Sequence, residues 1–262
     1  MNGKVFLLIA ALGATACGRS TPPSPPVPEP FTSGEQLLEA MQNRYVGRWY
    51  GTLTFIQETT EFPAGAPARK SIWYEALQLP SQLRIDFDPI GQGNGILIRG
   101  DSQYVMRNGS VARQVARTNE LLLLGFDVYF LEPAVTAAWL RRLGFDLSKI
   151  RQDVWQGRQV YVVGARAADD HASRQFWVDR EQLLFVRLVQ PIAETTRTRD
   201  VRFLNYERIG RTWVAPLVEM YEDGRLTLKE EYRHMRVDVD LDPALFEPGR
   251  FTSARHWYEV TR

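Results

Sequence analysis

Turn signals recur about every ten positions between residues 158 and 236, and the runs between them alternate in polarity, a spacing that suits an antiparallel meander far better than helices. Val160 and Val162 alternate with Gln159 and Tyr161, and Leu183, Phe185 and Val189 with Leu184 and Val186. That is the period of a pleated strand. Glu222-Asp223-Gly224 separates the apolar runs 217–221 and 226–232, and Asp-Gly favours the two positive-φ positions of a type I′ hairpin turn. Gly210-Arg211 is a weaker signal between 201–206 and 213–215. Upstream, Asn108-Gly109 joins 104–107 to 110–115 in the same way.

Ahead of this meander, Ser33-Gly34-Glu35-Gln36 has the form of a capping box, followed by Leu37, Leu38, Met41 and Tyr45 on one helical face. Trp49, Gly51, Leu53 and Phe55 then alternate with Tyr50, Thr52, Thr54 and Ile56, and residues 71–77, 83–87 and 96–99 read as further strands. Asp88 to Gly95 is glycine-rich, but a strand follows it where a phosphate-binding loop needs a helix N-terminus. The pattern changes at Thr118. Residues 121–124 are continuously apolar, and 133–143 reads as a helix with proline in its first turn and Gly144 past its end. The fold class is therefore mainly β (α+β), with about eleven strands, an opening helix and helical pieces inserted midway. Leu121, Leu122, Leu123, Val135, Trp139 and Leu143 give the inserted pieces an apolar face that must rest against another apolar surface. Trp49, Leu53 and Phe55 give the first strand such a face.

The first 16 residues resemble a bacterial lipoprotein signal: one positive charge, an apolar run at 5–12 too short to span a bilayer, small residues, then Cys17. Cleavage before Cys17 would leave it as the acylated N-terminal residue. Gly18 is not the aspartate of an inner-membrane retention signal, which favours the outer membrane. Residues 17–30 are proline-rich and form a tether, residues 31–250 the folded domain, and residues 251–262 a C-terminal tail. The loop 62–68 is apolar and uncharged, an ordinary hairpin loop or a contact for lipid or a client.

Lys and Arg number 32 against 31 Asp and Glu, so no global field points to nucleic acid. A single cysteine excludes an intrachain disulfide framework. The three histidines lack zinc-pair spacing, and no Gly-x-Ser-x-Gly elbow occurs. Asp169-Asp170-His171 and the alternating Asp238, Asp240 and Asp242 read as solvated segments. The expectation is a protein that is no enzyme, with no catalytic residue, metal or cofactor.

These features together resemble the LolA/LolB superfamily of lipoprotein-sorting proteins over roughly residues 34–248. The closing Leu241-Asp242-Pro243-Ala244-Leu245-Phe246 carries the resemblance. Leu83-Arg84-Ile85-Asp86 with Pro89-Ile90-Gly91-Gln92-Gly93, and Cys17, look more like the membrane-anchored LolB-like acceptor than the soluble carrier. The resemblance implies a curved antiparallel half-barrel whose concave face, under the inserted lid helices, takes the acyl chains of lipoproteins or lipids. It implies a monomer on the outer membrane facing the periplasm, with a soluble periplasmic carrier as a possible partner. Leu79 stands where the carrier has an arginine before the proline matching Pro80, so an arginine-based release switch does not carry over. A second reading is an envelope sensing or interaction module on the same fold, without transfer.

Overall fold

The computed structural model describes residues 31–260. Helix α1 (Gly34–Tyr45) starts at Ser33, whose hydroxyl accepts a hydrogen bond from the Gln36 N–H. The reciprocal half of the capping box is displaced by one residue: Gln36 Oε1 accepts from the N–H and hydroxyl of Thr32. Leu37, Leu38, Met41 and Tyr45 form its buried face.

Strands β1 (Thr52–Glu61), β2 (Arg69–Gln78), β3 (Gln82–Phe87), β4 (Gly95–Arg99), β5 (Ser102–Arg107) and β6 (Ser110–Ala116) follow as consecutive antiparallel neighbours. A helical segment interrupts them, built from α2 (Glu120–Gly125), a 3-10 turn at Asp127–Tyr129, and α3 (Pro133–Arg142). Next come β7 (Ile150–Trp155), β8 (Arg158–Val163), β9 (Gln175–Asp179), β10 (Phe185–Pro191) and β11 (Thr198–Leu204). The strands β12 (Glu207–Ile209), β13 (Thr212–Val214), β14 (Leu217–Glu222) and β15 (Arg225–Val237) end the series, and α4 (Trp257–Val260) lies near the C-terminus.

One 13-stranded sheet runs β6-β5-β4-β3-β2-β1-β15-β14-β11-β10-β9-β8-β7. It is a curved, unclosed antiparallel sheet, the half-barrel anticipated from the sequence, with more strands than the count made there. Two strands escaped the pattern for different reasons. β9 is buried at every position and shows no alternation, whereas the edge strand β7 is half-exposed, with Arg151, Gln152 and Asp153 consecutive at its middle. The Gly210-Arg211 turn closes only the small ribbon β12–β13, which stands outside the main sheet, and β11 pairs instead with β14. The two strong turns form as expected: Asn108 and Gly109 have φ of 49° and 77°, Asp223 and Gly224 φ of 49° and 76°. Register shifts place an extra residue in β15 against both β1 and β14, in β6 against β5, and in β10 against β9, the device that tightens twist in a bent sheet.

The order of strands explains the helical segment. β6 and β7 follow one another in the chain but lie at opposite edges of the sheet. Their connection, residues 117–149, must therefore pass across a face. It crosses the inner one, where α1, α2, α3 and the inward side chains of the strands make one large core. On the outer face Ala76, Leu97 and Met106 are covered by Leu241, Leu245, Phe246, Phe251 and Trp257. The segment marked as a tail thus packs on the sheet from Phe251 to Trp257. Arg84 is 3 % exposed and fixes this cover: it donates to both carboxylate oxygens of Asp86 and to the carbonyls of Leu245 and Phe251, and lies over the Phe251 ring. His256 Nε2 sits 3.1 Å from Asp86 Oδ2. Burial alone would push Asp86 up, but hydrogen bonds from Arg84 and His256 hold it below the usual carboxylate range.

Candidate functional site

A cavity of about 170 Å³ lies between the inner face of the sheet and the α2 end of the lid. Its apolar wall comes from both sides: Phe55, Leu77 and Val218 from strands, Leu121, Leu122 and Phe126 from the lid. Asn119 positions α2 by accepting from the N–H groups of Leu121 and Leu122, each at 3.0 Å. Phe55 is held flat by Tyr232, with ring centroids 4.0 Å apart.

The lid is tied to both halves of the sheet. Ser81, in the β2–β3 turn, donates from its N–H and hydroxyl to Asp127 at 3.0 and 2.9 Å. Burial raises the Asp127 carboxyl to about 6, with the two Ser81 hydrogen bonds pulling the other way. On the far side Gln190 of β10 donates to Glu120, and the Phe185 N–H donates to the buried Tyr129 hydroxyl. Leu79 is buried in the core beside this latch.

Of the sequence-derived candidates, the structure brings Phe55, Leu121 and Leu122 to the cavity. Trp49, Leu53 and Leu123 are solid core: Trp49 stacks between Tyr50 and Tyr129, at 5.0 and 3.9 Å between centroids. Val135 is 42 % exposed and does not line the cavity. Trp139 and Leu143 line a separate, outer cleft of about 450 Å³ with Arg117, Glu120, Arg142 and Arg174, and Arg142 lies 4.7 Å over the Trp139 ring. The helix forms where expected but its buried face was misjudged: α3 buries Thr136, Ala137 and Leu140 and packs with α1, which leaves Val135 and Trp139 on its rim. Cys17 lies outside the described residues. In the loop 62–68, residues 64–68 are exposed.

The floor of the cavity holds what the sequence reading missed. Glu75 of β2 pairs with Phe55, and Glu230 of β15 pairs with Thr59, so two carboxyls flank the central strand β1 with Gln57 between them. Glu75 is 5 % and Glu230 9 % exposed. Burial, and then the neighbouring Glu230 charge, raise Glu75 well above the ordinary range. Burial raises Glu230 to about 7 against hydrogen bonds from Tyr232 and Gln57. Among the described residues no group of three or more His, Cys, Asp and Glu side chains converges as a metal site.

No family model matches the chain, and no curated protein does. Solved structures do match it. A DUF1329 family protein from Desulfovibrio piger is similar at TM-score 0.55 and 16% identity, over 82% of this chain and 95% of the other. A LolA superfamily protein from Nitrosomonas europaea is similar at TM-score 0.53 and 11% identity, over 80% and 96%. The chain has a LolA-type fold. A domain from Vibrio parahaemolyticus assigned to outer membrane lipoprotein sorting, at TM-score 0.51 and 15% identity, covers 84% of this chain and 99% of its own. The fold is thus shared at identities of 11% to 16%.

Proposed function

We propose that this protein is a lipid-binding lipoprotein of the bacterial envelope, which takes acyl chains of lipoproteins or lipids between sheet and lid without any catalytic step. The observation that carries this reading is the apolar cavity at the lid–sheet seam, walled by the lid on one side and by strands on the other. At about 170 Å³ it is close in size to engineered apolar cavities that hold a benzene ring, and smaller than most ligand pockets. A whole acyl chain therefore enters only as the lid moves, each buried methylene contributing about 0.8 kcal/mol. The resemblance to the LolB-like acceptor, the signal ending at Cys17 and the absence of an aspartate at Gly18 support an outer-membrane anchor facing the periplasm. They also support receipt of cargo from a soluble carrier.

The test is native mass spectrometry on the full chain carrying Cys17→Ala, purified without detergent from cells with an intact envelope. Acyl-bearing lipid adducts are expected on this chain and on Trp139→Ala, whose side chain lies outside the cavity, but not on Leu122→Trp, which fills it. A lipid-free parent that also fails to take up a fluorescent alkyl probe rejects the reading.

A further inference from the structure

Two carboxyls on the floor of an apolar cavity are costly to bury, and side chains that pack a core do not need them. Glu230 is partly satisfied: Tyr232 donates to it at 3.3 Å. Glu75 is not. It is 5 % exposed, makes no hydrogen bond or ion pair among the described residues, and faces the cavity. A buried acceptor left without a donor is one that a ligand can supply. The ionisable side chains lining the cavity from the surrounding strands and the lid are Glu75, Glu230 and Tyr232, and neither lysine nor arginine lines it. Phe55, Trp73 and Tyr232 add aromatic faces beside the carboxyls. Carboxylates with aromatic faces recognise a positively charged nitrogen.

We infer that the cavity selects ligands bearing a protonated amine joined to an apolar body, with the nitrogen at Glu75 and Glu230 and the apolar part along Phe55, Leu121 and Leu122. This rests on the proposed binding of apolar chains at the same cavity and adds the chemistry of the polar end. An anionic head is disfavoured there, because neither lysine nor arginine lines the cavity to meet its charge. A neutral alcohol gains hydrogen bonds and no ion pair. Amine uptake stabilises the ionised carboxyls, so at a pH below about 7, where Glu230 is protonated in the free protein, binding releases protons.

Isothermal titration of the full Cys17→Ala chain with decylamine, decanol and decanoate at pH 8 tests this. Decylamine is expected to bind about tenfold or more tighter than decanol, with decanoate weakest. Glu75→Gln, which keeps shape and removes charge, should reduce decylamine affinity about tenfold while decanol affinity stays within about threefold. Retained decanol binding shows that the variant's cavity is intact. Titrations at pH 6 in two buffers of different ionisation enthalpy should report proton release with decylamine alone. Equal affinity for the three heads, or undiminished amine binding by Glu75→Gln, overturns the assignment while leaving the apolar cavity reading in place. Failure of all three to bind overturns both.

Discussion

Glu230 ties the stability of the domain to pH in a direction opposite to that of most carboxylates. An unfolded glutamate releases its proton near 4.5, whereas the folded one holds it to about 7. Between those values the folded state binds more protons, so this contribution to stability is full below about 4.5 and is lost as pH rises through about 7. Glu230→Gln is therefore expected to raise stability at pH 8 by about 1 to 3 kcal/mol, with the gain vanishing near pH 4. Urea midpoints of parent and variant across that range measure it. Asp86 runs the other way. Its lowered pKa gives stability that is present above the ordinary carboxylate range and lost as pH falls through the folded value. Arg84→Met would leave Asp86 buried without its main partner, and about 3 to 5 kcal/mol of destabilisation is expected, with early proteolysis of the segment after Phe246. These residues show what the sequence could and could not say. Leu83-Arg84-Ile85-Asp86 looked like a family signature, but nothing in the string reveals that Arg84 reaches residues 245 and 251. Glu75 and Glu230 fall inside the runs read as strands at 71–77 and 226–232, and nothing in the string singles either out. Alternation assigns residues to two faces without telling which is wet, and here both faces are covered.

At the scale of elements, helices, hairpins and lid were legible because caps, Asn-Gly and Asp-Gly turns and a terminal glycine act locally. Which side of α3 meets the sheet was not legible, since that depends on the lid's path between distant strand edges. The latch at the β2–β3 turn was also invisible, because Ser81 and Asp127 come together only when the lid has crossed the sheet. Asp127→Ala removes the acceptor for two Ser81 donors, at a cost of about 1 to 3 kcal/mol. Hydrogen exchange should then speed up in residues 120–131 while the β1–β15 amides keep their protection. Uniform acceleration across both regions would show that Asp127 supports the whole core and not the lid.

For the molecule as a whole, the proposed anchor and the domain are separable in the sequence: Cys17 precedes a proline-rich stretch, and one compact unit spans Phe31–Arg262. Cys17→Ala is expected to move the protein from the membrane fraction to the soluble periplasm without changing its urea midpoint. Sedimentation with membranes after a carbonate wash would count against the lipid anchor. The central seam of the sheet carries a different consequence. β1 leaves the ribosome early, yet its partner β15 ends at Val237. Half of the half-barrel can fold as β1 to β6 appear, but β1 stays unpaired on one side until β15 has been made. Contacts of such long sequence separation are slow to form, and an exposed strand invites pairing with other chains. Biosynthesis thus leaves a half-built sheet with one open edge for much of its time on the ribosome, the edge that a chaperone must shield.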